Sequence, residues 1–252
     1  MSGQKIQGAV ALVTGANRGI GKAIAEALLA RGVSRLYATA RRIDTLKALA
    51  ANQRVVTIGL DVASPVQVAA AAAAAGDVEL LVNNAGIVGV ELGASITDPK
   101  ILDGARRELE VNYFGTLYMI QAFAPILGRN GGGTIVNISS VAGLSNFPPL
   151  ASYSASKAAA RSLTQAARVH LADQDTRVMG VYPGPVDTDM ARDLTGDKAT
   201  PGSVATAILD AIEADTVDVF PDPFAEQFGH QFESSPSALE RQVAQMVSGA
   251  AA

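Results

Sequence analysis

The sequence predicts an α/β domain in which a doubly wound, seven-stranded parallel sheet is flanked by helices. That single domain runs over residues 1–252, with a C-terminal tail from about residue 221. Three observations predict it. Short apolar runs rich in β-branched residues alternate with segments whose apolar residues recur at helical spacing, the pattern of strands buried on both faces and joined by helical crossovers. The first run ends in clustered glycines that open directly onto a helical pattern. A chain of 252 residues with 48% hydrophobic content is long and apolar enough for one core of this kind.

The first strand is read at residues 9–13, followed by a turn holding Gly15, Asn17, Arg18, Gly19, Ile20 and Gly21, after which Ile24, Ala27 and Leu28 fall on one helix face. Glycines there let backbone approach a pyrophosphate, while the helix N-terminus offers free N–H groups and positive potential. Gly32 ends the helix as a C-terminal cap. A second strand at residues 36–39 leads into Ala40, Arg41 and Arg42. A carboxylate at this strand end would accept hydrogen bonds from ribose hydroxyls and repel a 2′-phosphate, whereas guanidinium groups grip that phosphate. The reading is therefore NADP(H) rather than NAD(H), although Asp44 lies close enough in sequence to oppose it.

A third strand, residues 55–60, precedes Asp61 and Val62. Ser64-Pro65 starts a helix whose alanine run, residues 69–75, is strong helix former and nothing more. The fourth strand, residues 79–82, runs into Asn83, Asn84, Ala85 and Gly86. A long helix is expected over residues 102–127 with Asn112 inside it, a residue that mid-helix propensity disfavours. Residues 129–133 form a surface loop, and a fifth strand at residues 134–138 ends at Ser139-Ser140. Gly143, Pro148 and Pro149 then mark a loop before the next helix. Residues 130–156 carry no charge; the first to break that run is Lys157. A sixth strand at residues 176–182, a Pro183-Gly184 turn, a loop over residues 189–200 that lids the pocket, a helix at 205–212 and a seventh strand at 216–220 complete the pattern.

Tyr153 and Lys157 stand one helical turn apart on one face. An ammonium beside a phenol favours phenolate and draws the phenol down from about 10 toward neutrality, where it trades a proton with a substrate oxygen. Ser140, leaving its strand end, can hydrogen-bond the same oxygen. Serines at strand ends are also turn formers, and a Tyr-x-x-x-Lys pair alone arises by chance on many helices.

In order and at matching spacing, Thr14-Gly15-x-x-x-Gly19-x-Gly21, Asp61-Val62, Asn83-Asn84-Ala85-Gly86, Asn112, Ser140, Tyr153-x-x-x-Lys157 and Pro183-Gly184 resemble the short-chain dehydrogenase/reductase family over roughly residues 8–190. The resemblance implies a Rossmann-type fold and hydride transfer between nicotinamide and a carbonyl or secondary alcohol, with Asn112, Ser140, Tyr153 and Lys157 catalytic. It implies that Arg18 joins Arg41 and Arg42 at the 2′-phosphate, that Asp61 and Val62 meet adenine, and that Asn84, Ala85 and Gly86 line the adenosine ribose. Asn112 would distort its helix so that its carbonyl holds a water of a proton relay from Lys157. Lys157 would bind the nicotinamide ribose, and Pro183, Gly184, Val186 and Thr188 would wall the nicotinamide. The family's glycine-rich turn after the last strand is replaced here by Pro221-Asp-Pro-Phe-Ala and a tail, which puts the usual tetramer in doubt; a dimer through the helices carrying Asn112 and Tyr153 stays expected.

A net charge of −4 argues against nucleic acid as a partner, and the absence of cysteine excludes disulfides, thiolate zinc sites and thiol nucleophiles. No metal site is expected. Residues 1–8 lack the apolar stretch of a signal peptide, and Asn112, Gly115, Gln121 and Pro125 interrupt the uncharged run at 111–128, so the expectation is a cytoplasmic protein. Ile87, Val88, Val141, Leu144, Phe147, Leu150, Tyr182 and Met190 are candidates for the substrate wall, mostly apolar, and equally fit a core; as a wall they favour a small hydrophobic carbonyl or alcohol. Three other readings compete. A 3-oxoacyl-thioester reductase would need a cationic patch from Arg129 with Arg161 or Arg168; the others are a non-catalytic NADP-sensing protein and a sugar-nucleotide epimerase.

Overall fold

The computed structural model describes residues 3–249. Its sheet consists of β1 (Val10–Val13), β2 (Arg35–Ala40), β3 (Val55–Gly59), β4 (Leu80–Asn83), β5 (Gly133–Ile138), β6 (Thr176–Val181) and β7 (Asp218–Val219), in the order β3-β2-β1-β4-β5-β6-β7. Every pairing is parallel. The chain reverses its direction of growth between β1 and β4, and at such a switch point the carboxyl ends of the strands open a crevice.

Helices α1 (Gly19–Ala30), α2 (Lys47–Ala50), α3 (Pro65–Ala74), α4 (Ile101–Leu109), α5 (Gly115–Arg129), α6 (Ala151–His170) and α7 (Pro201–Glu213) connect the strands. Two apolar layers explain why the strands read as unbroken hydrophobic runs. Ala11, Val13, Leu36 and Val82 face Ile24, Leu28, Ile208 and Leu209 of α1 and α7. The alternate residues Leu12, Tyr37, Leu81 and Ile135 face Val68, Met119, Phe123 and Leu127 of α3 and α5. Each fully buried Leu or Phe in these layers contributes about 1.5–3 kcal/mol over its exposed state.

Local chemistry sets the boundaries. Past α1, Gly32 takes φ 82°, and the N–H groups of Gly32 and Val33 donate to Leu29 O and Leu28 O, the doubly bonded cap expected of that glycine. Ser64 Oγ accepts from Gln67 N at the head of α3, with Pro65 in the first turn. The single helix expected over residues 102–127 is instead two, α4 and α5, joined by a π turn at Glu110–Phe114 in which Gly115 N donates to Glu110 O. The loop expected over residues 189–200 begins with a 3₁₀ turn, Asp189–Ala191, and returns to the body where Ala199 bridges Val186.

The tail is the largest departure. From about residue 221 it forms two helices, α8 (Pro223–Ser234) and α9 (Pro236–Gly249). Their Ala225, Phe228, Leu239 and Val243 close over Val141, with Leu144 and Phe147 packed against them. Phe228 stacks between Phe147 (5.5 Å) and Phe224 (4.6 Å). The tail is therefore a third apolar cluster beside the sheet's carboxyl edge, built on the segment that joins Ser140 to Tyr153.

Candidate active site

The glycine turn lies at the carboxyl end of β1, against β4. Gly15 has φ 66°, a left-handed conformation that a side chain strains, and a Cβ at Gly21 would sit 2.3 Å from both Gly15 O and Asn84 Nδ2. Asn84 holds the two strands together: Nδ2 donates to Thr14 O (2.8 Å) and Gly15 O (3.3 Å), while Thr14 Oγ1 accepts from the N–H groups of Asn84 and Ala85. Arg18 caps α1 without a side-chain bond to its N–H groups, and no acidic residue occupies the first turn. A bare helix N-terminus beside a backbone cradle kept shallow by glycine fits a pyrophosphate.

The three arginines assigned to a 2′-phosphate are not equivalent. Arg18 donates to Asp189 Oδ2 (3.1 Å) in the 3₁₀ turn across the crevice. Arg42 donates to Asp44 through Nε (3.3 Å) and Nη2 (2.8 Å), so the neighbouring acid opposes it as the spacing suggested. Arg41 is exposed and, among the described residues, pairs with no protein group. A phosphate would meet Arg41 without first breaking an ion pair.

Past β3, the Asp61 carboxylate accepts from Ala63 N (3.1 Å). Val62 is buried against Gly115, where an added Cβ would lie 2.8 Å from Val62 Cγ2, so Val62 can offer a ligand only its backbone. Val186 likewise turns its side chain into the core, and Thr188 Oγ1 donates to Val186 O (3.2 Å) while its methyl approaches Gly19. Pro183 O accepts from Val141 N (3.1 Å), and Gly184 N donates to Asp222 Oδ2 (2.9 Å). That last bond ties the turn to the tail.

Four side chains converge at the ends of β4 and β5. Asn112, 2% exposed, accepts at Oδ1 from Ile87 N (2.9 Å) and donates through Nδ2 to Ile87 O (3.0 Å) and Ser156 Oγ (2.9 Å). Its main-chain carbonyl accepts from Thr116 Oγ1 (2.9 Å). The Asn, set in the π turn, is thus a clamp between the loop after β4 and α6. Lys157, 5% exposed, donates to Ile138 O (2.9 Å) and lies 5.7 Å from the centroid of the Tyr153 ring. A Cβ on Gly86 would come within 3.2 Å of Asn112 Oδ1 and 3.4 Å of Lys157 Nζ, so a glycine keeps this wall low. Ser140 Oγ accepts from Ala142 N (3.1 Å), donates weakly to Pro183 O (3.5 Å) and also interacts with the phenol of Tyr153.

The electrostatics reverse one expectation. Without cofactor the Tyr153 phenol is pushed up to about 12, first by desolvation, with Ser140 pulling it down and the Glu108 charge pushing it up. Lys157 itself is drawn down to about 8 by burial. The ammonium packs over the ring face and spends its proton on Ile138 O, so burial outweighs attraction and the phenol stays protonated at neutral pH.

Of the wall candidates, Tyr182 belongs to the core: it is 1% exposed, stacks on Phe220 and donates to Asp218 Oδ1 (3.1 Å). Val141 is buried under the tail, Ile87, Val88, Leu144, Phe147 and Leu150 are half-buried, and Met190 is exposed. Sequence reasoning missed Phe224, Phe228 and Asp222, although Asp222-Pro223 and Ser235-Pro236 are helix-start signals and Phe224 and Phe228 are one turn apart. Among the described residues no cluster of potential metal ligands occurs, and no helix is long and apolar enough to cross a membrane.

The comparisons with known proteins agree with this geometry. The family model described as short chain dehydrogenase matches residues 9–199. Cyclohexanol dehydrogenase from an Acinetobacter strain is 34% identical over 196 residues, 74% of this chain and 76% of that protein. The crystal structure of a short chain dehydrogenase from Burkholderia cenocepacia in complex with NADP is 40% identical and superposes with a TM-score of 0.88, covering 95% of this chain and 99% of that one, so the likeness runs well into the tail. A 3-ketoacyl-(acyl-carrier-protein) reductase from Brucella melitensis, complexed with NADH, is 26% identical with a TM-score of 0.74 and covers 87% of this chain and 93% of its own. Fold, ordered motifs and likenesses coincide, and the chain belongs to the short-chain dehydrogenases, a family of oxidoreductases that use nicotinamide cofactors.

Proposed function

We propose that this chain is an NADP(H)-dependent reductase of hydrophobic carbonyl compounds, and in reverse a dehydrogenase of the matching secondary alcohols, with Tyr153 as general acid and base. When bound, the nicotinamide supplies or accepts the hydride. Ser140 and Tyr153 hydrogen-bond the carbonyl oxygen, and the phenol gives up its proton as charge develops there. The observation that carries the reading is the Tyr153 phenol on the same helix face as Lys157, whose ammonium lies 5.7 Å from the ring centroid, with Asn112 clamped to the neighbouring Ser156; burial raises the phenol, which favours the proton-donor form. Lys157 binds the ribose and, once the positive ring and ribose join it, eases the phenol's ionisation. Asn112 keeps the loop after β4 against α6 and so fixes the helix face that carries both groups.

For the cofactor, the unpaired Arg41 supports NADP(H), as does the NADP-bound Burkholderia neighbour; the NADH-bound Brucella neighbour is the more distant in sequence. Of the arginines that the thioester-reductase reading would need, Arg168 is engaged, bonding Val178 O (2.8 Å) and Val217 O (2.9 Å) and pairing with Asp218, while Arg161 lies over the Phe232 ring at 4.7 Å. Cyclohexanol dehydrogenase supports a small alicyclic or aliphatic substrate class. Consumption of NADPH and NADH against a panel of ketones and aldehydes tests the class. Tyr153→Phe is expected to bind NADPH normally and to lose nearly all turnover, and a variant with full activity would remove Tyr153 from this role.

A further inference from the structure

Four helices of the chain, α3, α7, α8 and α9, open on a capping residue followed by proline, and one cap differs from the other three. Ser64, Thr200 and Ser235 each accept one N–H three residues on through a hydroxyl, from Gln67 (3.4 Å), Ser203 (3.0 Å) and Ala238 (3.3 Å). At the head of α8 the same place holds Asp222, whose Oδ1 accepts from Ala225 N (2.9 Å). A serine caps a helix about as well as an aspartate, so capping alone leaves the second oxygen of Asp222 without a purpose. That oxygen, Oδ2, accepts from Gly184 N (2.9 Å) in the turn after β6. Asp222 is 6% exposed, and among the described residues these two N–H groups are the partners of its carboxyl oxygens.

The contact is shaped for close approach. A Cβ at Gly184 would lie 2.7 Å from both Asp222 Oδ1 and Phe224 Cδ1, and one at Gly229 would lie 2.7 Å from the Phe220 ring. The two glycines let α8 settle on the turn at one end and on the residue after β7 at the other. Gly184 N belongs to the same amide as Pro183 O, and that carbonyl accepts from Val141 N (3.1 Å) and weakly from Ser140 Oγ (3.5 Å). A trans amide is planar, and its N–H and C=O point in opposite directions. Holding the N–H from the tail therefore sets the aim of the carbonyl toward Ser140 and Val141.

We propose that Asp222 is a positioning residue for the reacting end of the site: by accepting from the Pro183–Gly184 amide it fixes the turn against Ser140, and it makes the docked tail a condition for the geometry that Ser140 offers the substrate. This rests on the reading of Ser140 and Tyr153 as partners of the carbonyl oxygen. Hydride transfer to the carbon they hold brings the nicotinamide to the same end of the crevice.

The test is made on the full chain with two ligands. NADPH carries the nicotinamide, whose fluorescence reports its surroundings, and 2′,5′-ADP carries the adenosine phosphates alone. Asp222→Ser keeps the cap of α8 and takes away the acceptor of Gly184 N. It is expected to weaken NADPH binding about three- to tenfold, the worth of one hydrogen bond. It should also diminish the fluorescence change on binding and leave the affinity for 2′,5′-ADP at the parent value. In carbonyl reduction at saturating NADPH, the loss should fall on kcat, with KM for the carbonyl compound little altered. Equal weakening of both ligands would mark a merely structural residue and overturn the proposal, as would unchanged binding of NADPH. If Asp222→Ser does not fold, Asp222→Asn, with one acceptor for two N–H groups, takes the same readout, and a chain that folds with neither also overturns it. Ser140→Ala is measured alongside. Full turnover there defeats the reading of Ser140, whereas an impaired Ser140→Ala beside an unaltered Asp222→Ser defeats the proposal alone.

Discussion

Lys157→Met separates the cost of burying an ammonium from its use. Lys157 is 5% exposed, and its fall from 10.5 to about 8 corresponds to about 3 kcal/mol against the charged form at neutral pH. Its bond to Ile138 O offsets about 1–2 kcal/mol of that, including the cost of leaving the carbonyl unpaired. The cofactor-free variant is therefore expected to be more stable than the parent at pH 7 by about 1–2 kcal/mol, or roughly 2–8 °C in Tm for a chain of this size. The pH dependence gives the sharper check. Between about 8 and 10.5 the unfolded parent keeps the lysine proton and the folded parent releases it, so the parent's stability rises with pH, whereas the variant has no such group. Tyr153 and Tyr182, both raised to about 12 when folded, ionise near 10 when unfolded and so lower stability toward pH 10, a contribution that parent and variant share and that cancels in the comparison. Urea unfolding of both chains at pH 7, 8, 9 and 10 should show the difference between them moving by roughly 2–3 kcal/mol, so that the variant's advantage at pH 7 gives way to the parent's by pH 10. A difference that stays constant from pH 7 to 10 would refute the claim that Lys157 is buried at the expense of its charge.

Two further outcomes follow from other parts of the structure. Arg41→Asp should shift the ratio of NADPH to NADH affinity toward NADH by about ten- to a hundredfold, the worth of one charge-assisted phosphate contact, and calorimetric titration showing the same ratio in both chains would overturn the cofactor reading. Phe228→Ala removes a side chain that is 1% exposed and stacked on Phe147 and Phe224; it should cost about 3–5 kcal/mol in urea unfolding and open residues 141–150 to limited proteolysis, while unchanged stability would mean the tail is no part of the core.

What the sequence determined by itself was everything set by local chemistry or by a repeating period. Runs buried on both faces read as strands, Gly32 and Ser64-Pro65 bounded their helices, and the glycines at 15, 19 and 21 marked the crevice because few other residues accept that backbone. The order of the motifs then identified the family. The sequence could not say how neighbours partition among partners. That Asp44 occupies Arg42 and Asp189 occupies Arg18, while Arg41 has no partner among the described residues, is a matter of side-chain reach across loops. The state of Tyr153 was inferred from its distance along a helix to Lys157, yet the balance is struck by burial, which depends on every element around the site. The tail is intermediate: its helix starts at Asp222-Pro223 and Ser235-Pro236 were legible, but which surface its phenylalanines cover was not, because an apolar helix face declares that it will be buried and says nothing of where.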